Sequence, residues 1–261
     1  MGRIVMKFGG SSVATADRIL AVADIVRSAM EQRPLVVVSA VGIAAKGETK
    51  ITDQLETLAE LAHSGKPFEA NLATIRDKHE KVLAGLGLTW ASIEPIWKKL
   101  TAALAAKDRP YNEFLDEIFS FGERLSSFML ASVLDKQGVP SRCVDVDELD
   151  IITSDNFQDA SVLPETEDKV LCRFRDDERT LVAPGFVGRT KDGRTTTLGR
   201  GGSDYTAALV GAAFDVDEIQ IWTDVSGMRS TDPRVVPDAE RLETISFDEA
   251  KELASFGARV L

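Results

Sequence analysis

The sequence predicts an α/β fold built on parallel strands, and two observations indicate it. Short apolar segments alternate with helical ones along most of the chain, and the run LVVV at residues 35–38 is continuous, as in a strand covered on both faces. A helical segment separates this run from the first apolar strand, so the two strands should be parallel. In such a sheet, ligands bind beyond the carboxyl ends of the strands.

Composition narrows the classes of protein to consider. The 261 residues carry a net charge of -11, from 31 Lys and Arg against 42 Asp and Glu, which argues against a general nucleic-acid or anionic-membrane binder. No apolar run approaches the ~20 residues of a membrane-spanning helix, and no signal-peptide pattern is present. Cys143 and Cys172 have no metal or redox spacing and are expected to be buried. We expect a cytoplasmic protein.

The segment IVMKFGGSSV at residues 4–13 contains the first candidate site. A short apolar strand leads to Lys7, Gly9 and Gly10 allow a tight turn, and Ser11 and its neighbours offer caps for the following helix. Free N–H groups at a helix start favour an anion. The lysine precedes the glycines, so this is not a GxxxxGK[ST] loop. These residues alone fit an ordinary strand-to-helix turn equally well.

The second strand is followed by two candidate substrate contacts. Ser39 comes directly after it, and Thr52 follows a loop rich in small and charged residues. Both should lie near the carboxyl edge of the sheet. The alternative is that Thr52 or Asp53 simply begins the next helix as a cap.

A long helix predicted over residues 114–137 contains the segment SFGERLSS. Gly122 costs a helix about 1 kcal/mol relative to alanine, so its place beside Glu123 and Arg124 indicates a close approach by another group. The alternative is a packing glycine beside a surface Glu–Arg pair. The only histidines, His63 and His79, fall in helical segments without a partner motif, which argues against histidine catalysis.

A second glycine loop precedes another helix. Before this loop, the sequence pattern predicts a strand at 141–144 and an irregular region at 145–166. It then predicts a strand at 180–187, broken by Pro-Gly, and a turn at 191–194. Arg200 and Gly201 then lead into Ser203 and Asp204, either of which could be only a helix cap. With Lys7 and Arg200 beside them, two such loops favour anion binding more strongly than either alone.

The last part of the sequence is a strand, a long loop and a helix. The strand at 218–222 is followed directly by Thr223 and Asp224. The loop after them has the length and composition of a functional loop. Ser246 is a possible cap for a helix at 247–256.

Six segments, taken together and in this order, resemble the aspartate kinases of the amino acid kinase superfamily. They are KFGGSSV, SA…ITDQL, SFGERLSS, TLGRGGSDYTAAL, WTDVSG…STDPR and FGARVL. The resemblance implies a three-layer αβα sandwich around a mostly parallel open sheet. It also implies transfer of the γ-phosphate of ATP, with Mg²⁺, to the side-chain carboxylate of L-aspartate, the first step toward lysine, threonine and methionine.

The resemblance also implies roles for individual positions. Catalytic roles fall on Lys7, Asp204 and Arg259, with Asp204 organising the lysine and the metal. The nucleotide-binding positions are Lys7, Gly9, Gly10, Ser11, Thr223, Asp224, Arg229, Arg234 and Arg259. The positions that bind aspartate are Ser39, Thr52, Glu123, Arg200, Gly201 and Ser203. Arg229 stands where the family often has tyrosine, and Arg259 stands where many members have lysine.

The implied chemistry suits these residue types. A carboxylate nucleophile is already ionised at neutral pH, so the transfer needs charge neutralisation and placement rather than a general base. Arg200 can pair with the α-carboxylate of an amino acid, and Glu123 can accept its ammonium. These two favour an amino-acid substrate over a nucleoside monophosphate. The alternatives are a family member acting on another small acid, or a nucleotide-binding module without catalysis.

The resemblance leads to two further expectations. Residues 1–261 should form the kinase catalytic domain, with the family's C-terminal ACT-type regulatory domains absent. The protein should be a homodimer.

Overall fold

The computed structural model describes residues 2–225, 227–231, 236 and 238–255. The chain divides into two compact units, Met1–Trp222 and Thr223–Leu261. The strands of the first unit are β1 (Ile4–Phe8), β2 (Leu35–Val38), β3 (Ser141–Cys143), β4 (Ile152–Thr153), β5 (Thr180–Pro184), β6 (Val187–Thr190), β7 (Thr195–Thr197) and β8 (Glu218–Trp222). Its helices are α1 (Ala16–Ser28), α2 (Ile51–His63), α3 (Glu69–Gly85), α4 (Trp90–Ala105), α5 (Tyr111–Lys136), α6 (Val146–Leu149), α7 (Thr166–Phe174) and α8 (Gly202–Ala213).

The main sheet has five strands in the order β3-β5-β2-β1-β8. Each of the pairings between them is parallel, and Lys7 at the end of β1 lies between Val37 of β2 and Ile221 of β8. A smaller sheet joins β4, β6 and β7, with β6 and β7 antiparallel. The predicted mostly parallel sheet is confirmed.

Helices cover both faces of the main sheet. Successive residues of β1 point to opposite faces, so its side chains enter two different cores. Ile4, Met6 and Phe8 belong to a core formed with helices α1 to α5, whereas Val5 belongs to a second core formed with α7 and α8. The three-layer αβα arrangement is therefore confirmed. The same alternation directs Lys7 toward α8.

Some details differ from the sequence predictions. Helix α1 does not follow the first glycine loop directly, because a 3₁₀ turn over Gly10–Val13 comes first and Thr15 is the cap. The region predicted to be irregular contains α6 and β4. Cys172 is exposed rather than buried, because it lies on the outer side of α7, and Cys143 is half-buried.

The second unit contains a short antiparallel bridge between Arg229 and Arg241 and a helix, α9 (Phe247–Ser255). The Ser246 hydroxyl accepts from the Glu249 N–H at 3.3 Å, and the Glu249 carboxylate accepts from the Ser246 N–H at 2.8 Å. This reciprocal pair is a capping box, so the predicted cap is confirmed. Among the described residues, no helix is long and apolar enough to span a membrane.

Candidate active site

The loops that follow β1, β2 and β5 meet at the carboxyl edge of the main sheet. The Gly42 N–H donates to the Gly10 carbonyl at 3.0 Å, and the Gly185 N–H donates to the Val38 carbonyl at 2.8 Å. A Cβ atom at Gly42 would lie 2.4 Å from the backbone of Gly10, so only glycine fits there. This close backbone packing places the predicted phosphate loop beside the loop that contains Ser39.

Lys7 and Asp204 form an ion pair at this edge. The Lys7 Nζ lies 2.5 Å from the Asp204 Oδ1, and their side chains are 10% and 17% exposed. Lys7 is the penultimate residue of β1 and lies on the face covered by α8, and Asp204 lies in the first turn of α8. Two residues 197 positions apart in sequence therefore meet because the fold brings a strand end and a helix start together.

Gly9 and Gly10 make the tight turn that the sequence predicts. The Gly9 N–H donates to the Trp222 carbonyl at 3.4 Å, and the Gly9 carbonyl accepts from the Ser12 N–H at 2.9 Å. A Cβ atom at Gly10 would lie 3.0 Å from the Ala40 carbonyl oxygen. Ser11 follows in the 3₁₀ turn and is partly exposed.

The structure brings Ser39 and Ser203 together at this edge. Their hydroxyls are 3.0 Å apart, and Gly185 leaves the room for this, because a Cβ atom there would lie 2.6 Å from Ser203 Cβ. The cap of α8 is Gly201, with a φ of 74°, and no side chain caps this helix. The alternative in which Ser203 or Asp204 serves only as the cap is therefore wrong.

Glu123 is a buried carboxyl beside the same loop. It is 3% exposed, and its Oε1 accepts from the Ala40 N–H at 3.0 Å. Its Oε2 is also buried and has no hydrogen-bond partner among the residues that the structure describes. Burial raises the pKa of Glu123 to about 8, and the hydrogen bond from Ala40 only partly opposes this shift. A cation at Oε2 would stabilise the ionised form.

The neighbours of Glu123 decide between the two sequence interpretations of SFGERLSS. A Cβ atom at Gly122 would lie 2.8 Å from Ala40 Cβ, so the predicted close approach is present. Arg124 does not pair with Glu123; its guanidinium pairs with Asp145. The surface Glu–Arg alternative is therefore wrong.

Thr52 and Arg200 are two further predicted aspartate-binding residues. Thr52 lies in the first turn of α2 and is partly exposed, next to Ile51, which packs 3.8 Å from a Cβ position at Gly122. The cap position of α2 is Lys50, and no side chain caps the helix, so the capping alternative for Thr52 is wrong. Arg200 is exposed, and its guanidinium contacts no carboxylate or carbonyl of the described residues.

The predicted nucleotide-loop residues lie in the second unit. Thr223 and Asp224 are exposed, with the Thr223 hydroxyl 3.3 Å from the Asp224 carboxylate. Within the same unit, the Arg229 guanidinium donates to the Ala239 carbonyl at 2.9 Å. Arg234 and Arg259 lie outside the described residues.

Neither histidine has the surroundings of a general base. Burial lowers the pKa of His79 to about 4, and its Nδ1 bonds to the Ile75 carbonyl of its own helix at 2.8 Å. His63 packs against Tyr111 and Phe114. The arrangement therefore offers charge neutralisation and anion binding rather than histidine acid–base chemistry.

Asp116 is a buried carboxylate on the same helix as Glu123, and the sequence interpretation did not single it out. It is 0% exposed and accepts hydrogen bonds from Thr197 and Gln158. Its one sequence signal is the seven-residue spacing from Glu123, which places both carboxyls on one face of α5.

Comparison with known proteins gives a consistent result. A model of the amino acid kinase family matches residues 2–261. Lysine-sensitive aspartokinase 3 of Escherichia coli K12 is 38% identical over 99% of this chain and 57% of its own length. Chloroplastic aspartokinase 1 of Arabidopsis thaliana is 36% identical over 98% of this chain and 46% of its own length. The chain thus spans about half the length of these relatives.

A solved structure has the same fold. E. coli aspartokinase III in complex with aspartate and ADP superimposes with a TM-score of 0.83 at 38% identity, covering 99% of this chain and 57% of that one. The family match, the identities and the structural superposition agree with one another. This chain belongs to the amino acid kinase family.

Proposed function

We propose that this chain is the catalytic part of an aspartate kinase, which transfers the γ-phosphate of ATP to the side-chain carboxylate of L-aspartate and forms 4-phospho-L-aspartate. The observation that carries the proposal is the buried Glu123, with an Oε2 that has no partner among the described residues. A buried carboxylate of this kind is costly unless a cation pairs with it, and the ammonium of an amino acid is such a cation.

The two charges of the substrate backbone have separate partners in this proposal. Glu123 accepts the ammonium, and the exposed Arg200 guanidinium pairs with the α-carboxylate in a bidentate way. Ser39 and Ser203, whose hydroxyls lie 3.0 Å apart, offer further hydrogen bonds at the same edge. Thr52 and Gly201 complete the proposed aspartate site. The side-chain carboxylate is then free to act as the nucleophile.

Lys7 and the glycine loop bind the phosphates in this proposal. Gly9, Gly10 and Ser11 approach the triphosphate through their backbone, and the Lys7 ammonium neutralises the phosphoryl group during transfer. We propose that Thr223, Asp224, Arg229, Arg234 and Arg259 contact the nucleotide.

Asp204 fits the role of a magnesium ligand. Its side chain lies in the first turn of α8 and pairs with Lys7, which places a carboxylate beside the residue that is proposed to face the phosphates. The described residues contain no cluster of three or more His, Cys, Asp or Glu, but Mg²⁺ commonly uses one or two carboxylates together with substrate phosphates. Bound there, Mg²⁺ would neutralise phosphate charge. The task of Asp204 is to orient Lys7 and hold this ion, not to accept a proton.

The experiment is an ADP-release assay over a panel of acids with Mg²⁺ and ATP. L-aspartate should give turnover well above the background ATPase rate, and L-glutamate, L-asparagine and N-acetyl-L-aspartate should give little. Equal rates with and without L-aspartate would reject the proposal, and preference for another acid would identify a different member of the family. The homodimer stays a prediction from the resemblance, and the cytoplasmic location stays a prediction from the composition of the sequence.

A further inference from the structure

Helix α5 carries two buried carboxyls, seven residues apart. Asp116 is 0% exposed, and Glu123 is 3% exposed. Seven residues are almost two helical turns, so both side chains leave one face of the helix at a separation of about 10 Å along its axis. The proposed function uses Glu123 and gives Asp116 no task.

Asp116 differs from Glu123 because both of its oxygens are fully hydrogen-bonded. Its Oδ2 accepts from the Thr197 N–H at 2.9 Å and the Gln158 N–H at 3.0 Å. Its Oδ1 accepts from the Thr197 hydroxyl at 2.7 Å and the Gln158 side-chain amide at 2.5 Å. Four donors on one buried carboxylate indicate a structural clamp rather than a ligand site.

The two segments that this carboxylate binds are the strand that leads to Arg200 and a turn beside that strand. Thr197 ends β7 three residues before Arg200. Gln158 belongs to a turn that bonds to the same strand, since the Ala160 N–H donates to the Thr197 carbonyl at 2.9 Å. Asp116 therefore fixes the strand directly and also through the turn beside it.

The backbone around Arg200 needs this support. Gln158 has a φ of 76°, a left-handed conformation that is uncommon for a residue with a side chain. Gly199 has a φ of 71°, and a Cβ atom there would lie 2.7 Å from the Asp159 carboxylate. Arg200 is exposed and forms no hydrogen bond or ion pair with the described residues. Its location depends on the strand to which it is attached.

We propose that Asp116 is a positioning residue for the amino-acid substrate. By fixing the strand that leads to Arg200 onto the helix that carries Glu123, it sets the separation between the two side chains that bind the α-carboxylate and the ammonium. This inference rests on the proposed function, because that function assigns those two contacts.

The test is Asp116→Asn, measured in the full chain. Asparagine keeps the size of the side chain, but its NH₂ group cannot accept the hydrogen bonds of two of the four donors. The KM for L-aspartate should rise ~10-fold or more because Arg200 is displaced, whereas the KM for ATP should stay within about twofold. Amide hydrogen exchange should accelerate at residues 196–202 and stay unchanged at 118–124.

Asp177→Asn is the matched control. The Asp177 carboxylate accepts from Arg142 at 3.1 Å and Arg179 at 2.7 Å, just before β5 begins, so it lies at the opposite edge of the sheet. The Asp177→Asn substitution should leave both KM values and the amide hydrogen exchange at residues 196–202 unchanged. If Asp116→Asn does not fold, Thr197→Val removes one donor with little change of shape, and a smaller shift in the same direction is expected.

Two results would overturn the inference. One is a change in the two KM values by equal factors, or by no more than Asp177→Asn causes. The other is unchanged exchange at residues 196–202, whatever the KM values. If the wild type does not phosphorylate L-aspartate at all, the proposed function fails, and the exchange measurement alone decides whether Asp116 holds the segment.

Discussion

The Glu123→Gln substitution should remove a pH-dependent loss of stability that the buried carboxyl causes in the unliganded protein. Burial raises the pKa of Glu123 from 4.5 to about 8. Glutamine resembles the protonated carboxyl in shape, and its carbonyl oxygen can still accept the Ala40 N–H that Oε1 accepts. The variant is therefore a permanently uncharged copy of the wild type at this position.

The sign of the effect follows from proton binding. Between the unfolded pKa and the higher folded pKa, the folded protein binds more protons at Glu123 than the unfolded chain does. The free energy of unfolding therefore falls as pH rises through this window, by at most about 1.4 kcal/mol per pH unit. With a folded pKa of about 8, the wild type should lose roughly 2 kcal/mol between about pH 6 and pH 8 that the variant keeps.

The assay is urea unfolding followed by tryptophan fluorescence at both pH values, without substrates. The difference between wild type and variant is the relevant quantity, because other titrating groups contribute equally to both. Glu56→Gln, the same chemical change at an exposed position of α2, is the control and should follow the wild type. Parallel pH dependences for wild type and Glu123→Gln would refute the reasoning.

Three further predictions concern catalysis. Lys7→Ala should reduce phosphoryl transfer roughly a hundredfold to a thousandfold, the usual effect of losing one preorganised electrostatic contact, with an unchanged circular dichroism spectrum; wild-type turnover would contradict it. Asp204→Asn should weaken the dependence of the rate on Mg²⁺ and reduce activity while α8 stays folded, because Gly201 rather than Asp204 is its cap; an unaltered Mg²⁺ titration would reject the assignment. Glu123→Gln should lower kcat/KM for L-aspartate roughly tenfold to a hundredfold and have little further effect with N-acetyl-L-aspartate, which lacks the ammonium; additive losses in this cycle would show that Glu123 does not bind that group.

Much of the fold could be predicted from the sequence because its signals are local. The apolar run at 35–38, the two glycine loops and the helical spacings each depend on neighbouring residues, and together they identify parallel strands with helices between them. The Lys7–Asp204 contact followed from the resemblance, and the fold explains it: Lys7 lies near the end of β1, and Asp204 lies in the first turn of α8 at the same edge.

Other features depend on tertiary packing, which the local pattern does not contain. Ser203 and Asp204 have the composition of helix caps, yet a left-handed Gly201 takes that position and leaves both side chains at the site. Cys172 was expected to be buried because cysteine is usually apolar in its behaviour, but its place on the outer side of α7 exposes it. Asp116 looked like any charged residue of a helix, since its four donors come from segments more than 40 residues away.

Product analysis tests the central claim most directly. The chain would be incubated with ATP, Mg²⁺ and L-aspartate in the presence of hydroxylamine, which converts an acyl phosphate into a stable hydroxamate. The account predicts one equivalent of L-aspartate β-hydroxamate for each ADP above the aspartate-free background, and hydroxamate formation roughly a hundredfold or more slower with Lys7→Ala. Release of ADP without hydroxamate, or formation of the α-hydroxamate, would contradict the proposed transfer to the side-chain carboxylate.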